Sequence, residues 1–595
     1  MQKIVALNPL LVAMAFAVTT TGVWGETALP SSAATEIIVH IDRQFARDQS
    51  VEGMEQHITA LLQSATAFYA KEDYASAIII HDDIDRRFGK EKNEKIRAWV
   101  LTALGEKVLA LIRQKEWKQE EALWESIRQD FGKDTRLLVR ARLAEVFFRR
   151  AFFSHQGWDW QTAIATANDA AARFGKDKNP AVRQWVAAAL YVKGGAINWQ
   201  KKTSNWYEEE AKVYRDIDAR FGKDTDADTR YWVIRALLQL TDNNMMQAGD
   251  ICREIDRRYG DDASPEIRAL VIQALLTLIS HAHSGNVDID AVYADIERRF
   301  GNDPSPQVRV MLAQALIQKS KALYEPEAKI AIYDAIVQRF GADDAQEMRT
   351  IIFDTLFTYK LRALMGREAQ EKNLLAVYDD ILQRFGDDPT PDIQAQMVGV
   401  RADRNAVLIH LGNITTAAPL LAEIEGLANA DEKAREIFAD SLRRNALAMI
   451  EQDKILEAIA IYAALKTRLG GDRNSTIESS SFALKGQLSY AMGVKTAMLV
   501  SAAQSRAEKE FWKNIDQRFA ANEFIDELIA EAMYYQGQLL ISQPELAINS
   551  AKNLIRRFEA SKYGVIKSLV KESKELIETL SSGKRPKPNS VLFGD

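Results

Sequence analysis

Apolar positions along the chain recur at offsets of three, four and seven from a repeated landmark, an aromatic residue followed by glycine. The landmark reads Arg87-Phe88-Gly89, Asp130-Phe131-Gly132, Arg173-Phe174-Gly175, Arg220-Phe221-Gly222, Arg258-Tyr259-Gly260, Arg299-Phe300-Gly301, Arg339-Phe340-Gly341 and Arg384-Phe385-Gly386. Four residues before each aromatic stand Ile84, Ile127, Ala170, Ile217, Ile255, Ile296, Ile336 and Ile381. Seven before it stand His81, Trp124, Ala167, Tyr214, Cys252, Tyr293, Tyr333 and Tyr378. These offsets share one helix face. Each landmark therefore predicts an amphipathic helix that ends at the aromatic, with the glycine in the left-handed closing position and the arginine near the negative end of the helix dipole.

A polar turn follows, often with proline, as at Asn179-Pro180, Ser264-Pro265, Ser305-Pro306 and Thr390-Pro391. A capping residue followed by proline starts a helix. This other helix carries an arginine column at Arg97, Arg140, Arg183, Arg230, Arg268, Arg309 and Arg349. Apolar residues stand three and seven positions further on, as in Val100 and Leu104 or Val186 and Leu190. Successive landmark glycines lie 43, 43, 47, 38, 41, 40 and 45 residues apart, a period typical of stacked-repeat architectures. The predicted fold is all-α, a right-handed α-solenoid of about 12 two-helix repeats of roughly 42 residues, in which each repeat packs only on its neighbours. Weaker copies of the register occur at Ala428-Asn429 (with Ile424 and Leu421), Leu469-Gly470, Phe519-Ala520 and Phe558. Phe45-Ala46 reads as a half repeat capping the front, and a helix from roughly 563 to 580 as the C-terminal cap.

Length then ceases to argue for several globular domains, and one repeat array over residues 36–580 is expected. Residues 1–25 read as a signal peptide: Lys3 supplies the positive end, 4–18 is largely apolar, and Val23-Trp24-Gly25 suits a peptidase. Residues 26–35 read as a linker and 581–595 as a polar tail, expected to be disordered. Export implies a periplasmic or secreted location. The single cysteine, Cys252, excludes an intrachain disulfide. A net charge of −6 supplies no global basic field for nucleic acid or anionic lipid.

Paired helices with small and aromatic residues at fixed offsets resemble the tetratricopeptide repeat family. Asp73-Tyr74-Ala75-Ser76-Ala77-Ile78 and the stretch from Glu325 to Tyr333 look like its inter-helix turn and second helix. The period near 42 exceeds the family's usual 34, and the usual tryptophan and glycine of the first helix are missing, so a HEAT-like array is the alternative. The resemblance implies a protein or peptide partner.

Catalytic chemistry finds little foothold. His281-Ala282-His283 has a spacing of two, which points the rings apart, where ligands on one helix face need three or four. Glu478-Ser479 resembles a transglycosylase pair without its surrounding active-site sequence and reads as an inter-repeat turn. Cys252 sits in a packing column. No phosphate-binding loop occurs, and no cofactor or metal is expected. Two other columns are candidates for partner binding: Trp99, Trp185 and Trp232, two residues after the arginine, and Lys107, Arg150 and Lys193, ten after it. Cationic heads beside indoles suit an acidic, aromatic-bearing peptide. The expected function is an exported, non-enzymatic scaffold for protein or peptide partners in a bacterial envelope. The alternative is an envelope polysaccharide- or peptidoglycan-processing enzyme or its glycan-binding subunit, marked by stacked aromatics or paired carboxylates in a cleft.

Overall fold

The computed structural model describes residues 32–45, 48–201, 205–243, 247–281, 287–365, 371–411, 432–469, 474–519 and 522–584. The export signal, most of the expected linker, Ala46, His283, the weak copy at 421–429, Gly470, Ala520 and tail residues 585–595 lie outside them. Every regular element among the described residues is a helix. The chain divides into two compact units, one ending at Phe300 and one beginning at Gly301.

The N-terminal unit runs α1 (Ser32–Phe45), α2 (Val51–Tyr69), α3 (Tyr74–Phe88), α4 (Glu94–Gln114), α5 (Trp117–Phe131), α6 (Leu137–Gln156), α7 (Trp160–Phe174), α8 (Pro180–Gln200), α9 (Trp206–Phe221), α10 (Ala227–Asn243), α11 (Ala248–Tyr259), α12 (Pro265–Ser280) and α13 (Ile289–Phe300). Helix α1 starts inside the segment expected to be linker. The C-terminal unit continues with α14 (Pro306–Ala322), α15 (Pro326–Phe340), α16 (346–365, with a π-helical stretch Thr355–Lys360), α17 (Glu371–Phe385) and α18 (Pro391–His410). It closes with α19 (Glu432–Glu451), α20 (Ile455–Leu469), α21 (Ser475–Ser501), α22 (Ser505–Arg518), α23 (Glu523–Leu539), α24 (Pro544–Phe558) and α25 (Gly564–Ser581). Each unit is a stack of helical hairpins, an α-solenoid. No described helix is long and apolar enough to cross a membrane.

The helices end where the landmark predicts, at Phe88, Phe131, Phe174, Phe221, Tyr259, Phe300, Phe340 and Phe385. The columns four and seven residues earlier are buried in every one of these repeats. First helices α8, α12, α14 and α18 start at their prolines, where the missing N–H leaves no bond unmade.

The arginine column binds repeat to repeat. Arg97 reaches Asp134 at 3.3 Å, Arg140 reaches Asp177 at 3.3 Å, Arg183 reaches Asp224 at 2.9 Å and Arg309 reaches Asp343 at 2.7 Å. Arg230 Nη2 donates to Asp262 at 3.1 Å and Arg349 Nε to Asp388 at 2.8 Å. Each aspartate lies three residues past the next landmark aromatic. Its other oxygen usually accepts the backbone N–H two residues on, as Asp177 does from Asn179 (2.9 Å) and Asp388 from Thr390 (2.8 Å). Ser264, Ser305 and Thr390 themselves make no side-chain cap; the aspartate before them organises the turn instead.

The landmark glycine is not left-handed. Gly132 has φ −62° and Gly341 φ −65°, ordinary right-handed helical values. Its role is close approach. A Cβ on Gly341 would stand 2.7 Å from Arg384 Nη1, and one on Gly132 2.5 Å from Arg173 Nη1. The missing side chain thus makes room for the landmark arginine of the following repeat. That arginine is a second tie between repeats: Arg258 bonds Asp218 at 2.6 Å and Arg299 bonds Asp256 at 2.7 Å.

His81 occupies a core column, fully buried, with Glu106 Oε2 3.9 Å from its Nε2. Burial, aided by the charge of Lys107, holds its pKa down to about 3. A histidine whose folded pKa lies below its unfolded value contributes its full stability above the unfolded pKa and loses it as pH falls towards the folded one. The N-terminal unit should therefore lose about 1.4 kcal/mol per pH unit through this residue between about pH 6.5 and 3. Urea melts at successive pH values check it: His81→Tyr, the residue of this column in four other repeats, should give a shallower acid slope by that amount.

Candidate ligand-binding cavity

The first helices turn two faces to their surroundings. Positions three and seven after the column arginine enter the core. Positions two, five, nine, twelve and sixteen fall together on the other side of the helix. In the N-terminal unit this second face lines a cavity of about 680 Å³, within the range of about 300–1,000 Å³ usual for ligand sites. Position two supplies Trp185 and Trp232, position five Arg235, position nine Glu106, Arg149 and Gln239. Phe148 and Tyr191, at position eight, close the border.

The rings form one connected set. Phe148 stacks on Trp185 with centroids 5.4 Å apart and planes at 27°, and lies 5.6 Å from Trp232. Tyr191 stands 5.4 Å from Trp232 and 5.8 Å from Tyr214. Tyr214 donates to Glu210 at 3.2 Å, which in turn accepts from Asn198 at 3.1 Å. Burial and the Glu210 charge hold the Tyr214 phenol well above its usual range, so it stays a neutral donor.

The cavity's charges differ in how they are compensated. Arg149 Nη2 pairs with Glu145 at 2.7 Å, and Glu106 lies 3.9 Å from its Nη1. Burial raises the Glu106 pKa while Arg149 opposes the rise. The Tyr69 hydroxyl donates to the Glu106 carbonyl. Arg113 is exposed and sits 5.2 Å from the Phe153 ring centre. Arg235 has no carboxylate partner among the described residues. Its Nη2 donates to the Tyr191 hydroxyl at 3.3 Å, its guanidinium lies 5.6 Å from the Tyr191 ring centre, and its Nε is buried without an acceptor.

Of the six residues singled out in the sequence, Trp185 and Trp232 line the cavity and the other four do not. Trp99 is half-buried on α4, its Nε1 3.4 Å from Glu55 Oε1. Lys107 pairs with Asp82 of α3. Arg150 is buried, bonded to Glu120 at 2.6 Å and Thr166 at 2.9 Å, with its guanidinium 4.6 Å from the Trp124 ring centre. Lys193 is half-buried, and desolvation lowers its pKa while Asp216 opposes the shift. Lys107 and Arg150 thus tie first helices to neighbouring second helices, and the basic column lies away from the cavity face.

Cys252 is buried, and burial pushes its thiol up to about 12, which suits packing. Glu478 and Ser479 lie in the first turn of α21, exposed, and not in an inter-repeat turn as the sequence suggested. His281 Nδ1 bonds the Thr277 carbonyl at 2.9 Å. No group of three potential metal ligands occurs among the described residues.

Sequence reasoning missed three features. Second helices α3, α5, α7 and α9 open with Tyr74, Trp117, Trp160 and Trp206, a column visible in the sequence once helix starts are known. The turns before second helices use a left-handed residue: Glu72, Lys115, Lys201, Asp453 and Ala503, but also Trp158 at φ 69°. Trp158 is 69% exposed and 6.0 Å from Trp199, itself 58% exposed and part of the cavity wall. Arg235 stands alone in its column, beside Thr102, Glu145 and Ala188, and no period marks it.

No family model and no curated protein matches the chain. Among solved structures, it is similar to one from work on a phosphorylation switch controlling the interaction between cadherin and beta-catenin (12% identity, TM-score 0.28, 92% of this chain, 99% of that one). It is also similar to Kap121p (14%, 0.32, 94% and 58%) and to a chain of the Kap95:Nup1 complex (11%, 0.28, 96% and 65%). This chain therefore spans somewhat under two thirds of the latter two. Its helical-repeat assignment rests on its own hairpins.

The two ties of the basic column should differ sharply in weight. Removing one partner of a buried ion pair strands the other, so Arg150→Ala should cost about 3–5 kcal/mol. Lys107→Ala should cost less than about 1 kcal/mol, because Asp82 is half in water. Urea unfolding followed by circular dichroism measures both.

Proposed function

We propose that this chain is an exported, non-enzymatic repeat scaffold that holds a peptide segment of another protein in the N-terminal cavity. One observation carries the reading: four rings outside the core columns, Phe148, Trp185, Tyr191 and Trp232, converge on one open cavity beside the core-column Tyr214. Aromatic anchors in a preformed pocket dominate binding energetics, and a repeat array presents such a surface on rigid helices. We read the hairpins as tetratricopeptide-like, with HEAT-like the alternative, and the signal-like segment 1–25 as directing the protein to a bacterial envelope. N-terminal sequencing tests the export reading: the expected protein begins at Glu26, and an intact 1–25 segment on protein recovered from its cellular location would overturn it.

A glycan-binding role is the second reading. The exposed indoles Trp158 and Trp199 favour it, because flat faces in water can receive sugar rings. The two readings part on the interior of the cavity. A peptide anchor fills the space against Trp232 and Phe148, whereas a glycan would need only the rim.

Phage-displayed random peptides selected on the purified protein, together with a soluble glycan array, decide between them. Peptide binders should lose about 30-fold or more in affinity on Trp232→Ala, the effect of a hot-spot truncation of about 2 kcal/mol. Trp158→Ala should change them by less than about threefold, on the same scale. Glycan retention that depends on Trp158 and ignores Trp232 would reject the peptide reading.

A further inference from the structure

The arginines of the cavity are not equivalent. Arg149 is neutralised by Glu145 within the same helix and by Glu106 nearby. Arg235 stands among Tyr191, Tyr214 and Tyr231, and the one hydrogen bond made by its guanidinium is to a phenol. Guanidinium remains charged at any working pH, so this site holds a partly desolvated positive charge with no counter-ion among the described residues. Such a charge is costly unless something supplies an anion. Among the described residues its contact with the preceding repeat is the Tyr191 phenol and ring alone; the recurrent repeat-to-repeat ties run through the arginine columns at the opposite side of the first helices, and the corresponding residues of neighbouring repeats are Thr102, Glu145 and Ala188.

Beside Arg235 in sequence and in space lies the ring cluster. Trp232 is three residues earlier on α10, one turn away, and Tyr191 bridges the two: its ring contacts Trp232 and its hydroxyl accepts from Arg235. Anion and aromatic receptors are thus joined at adjacent positions. A single guanidinium matches one carboxylate; sites that read phosphate gather several cations on one anion, whereas here Arg149 is already paired and Arg113 sits over the Phe153 ring.

We propose that Arg235 anchors the side-chain carboxylate of an aspartate or glutamate in the bound peptide, while an adjacent aromatic side chain of that peptide packs against Trp232 and Phe148. The inference rests on the peptide reading above and specifies its occupant. Arg113, exposed at the cavity and seated over the Phe153 ring, adds positive charge that favours approach of an acidic segment.

The test is a pair of selections from one random peptide library, on the full-length protein and on its Arg235→Gln variant, with competition by soluble peptides to define the cavity site. Binders of the native protein should be enriched in Asp or Glu next to an aromatic, and this acidic preference should vanish on the variant. A synthetic binder should lose tenfold or more in affinity when its acid is changed to the amide, and the same change should have no effect on Arg235→Gln. Arg235→Lys, which keeps the charge and loses the fork, should recover part of the affinity and confirms that a folded cavity is being measured. Cavity binders with no acidic preference would overturn the carboxylate anchor and leave the peptide reading standing. Glycan retention in place of any peptide binder would overturn both. Equal loss on acid-to-amide exchange in the native protein and in Arg235→Gln would place the acid elsewhere and also reject the anchor.

Discussion

An aspartate three residues past the landmark aromatic, present after every landmark but Phe88, carries the architecture. Asp388 shows the arrangement in full: one oxygen accepts from Arg349 of the preceding first helix at 2.8 Å, the other accepts from the Thr390 N–H at 2.8 Å, and its own N–H bonds the Phe385 carbonyl at 3.1 Å. One residue therefore ends a second helix, shapes the turn, starts the next first helix and holds the repeat before it. The Asp388 carboxylate is fully buried and lies below the usual carboxylate range: desolvation pushes its pKa up, but the bonds from Thr390 and Arg349 outweigh it. In a linear array stability is a sum of such interfaces, so a bond of modest strength matters by recurrence. The guanidinium adds a second contact on the ring it passes, at 4.4 Å for Arg97 over Phe131 and 4.7 Å for Arg183 over Phe221.

These ties leave other parts of each repeat free to vary. They run from the start of one first helix to the end of the next second helix. The turn at the far end of each first helix and the face on positions two, five, eight and nine are not part of them. In the N-terminal unit those positions carry Trp185, Trp232, Tyr191 and Arg235; in the C-terminal unit position two holds Met311 and Ile351, and position eight Ile317 and Phe357. The aromatic cavity is thus a local choice of side chains on a scaffold whose period does not require them.

That division explains what was legible. Helix ends, core columns and the arginine column recur every forty-odd residues, and recurrence exposes them. The glycine was misread because a glycine satisfies two demands, a left-handed backbone or a crowded neighbour. Only the position of Arg173 or Arg384 in the following repeat tells them apart. The partners of Lys107 and Arg150, Asp82 and Glu120, lie 25 and 30 residues earlier on other helices, so the angle of the basic column on its own helix gave no sign of the pairing. Trp185 and Trp232 recur and were visible. Phe148 and Tyr191 share a position with Gly105 and Leu238, and Arg235 one with Ala188, so their columns change character at each repeat and carry no period. The π-helical stretch at Thr355–Lys360 has no sequence signal that we can identify.

The same variability keeps the cavity open. A close-packed array should fill such a space, and large rings usually rotate to do so. Here Gly194 lets Tyr214 pack onto bare backbone, since a Cβ at that position would overlap the Tyr214 ring. The phenol is then fixed at its far end by Glu210, which Asn198 holds from the next turn of α8. With Tyr214 pinned back, Tyr191 has a ring to lean on, and Trp232 and Phe148 follow in the chain of contacts. The open face therefore depends on a glycine on the wall side and on one carboxylate behind it. An aromatic cluster held in this way would meet the proposed peptide without first having to reorder its rings, which lowers the entropic cost of binding, and Arg235, without a carboxylate among the described residues, is held in a fixed direction by Tyr191.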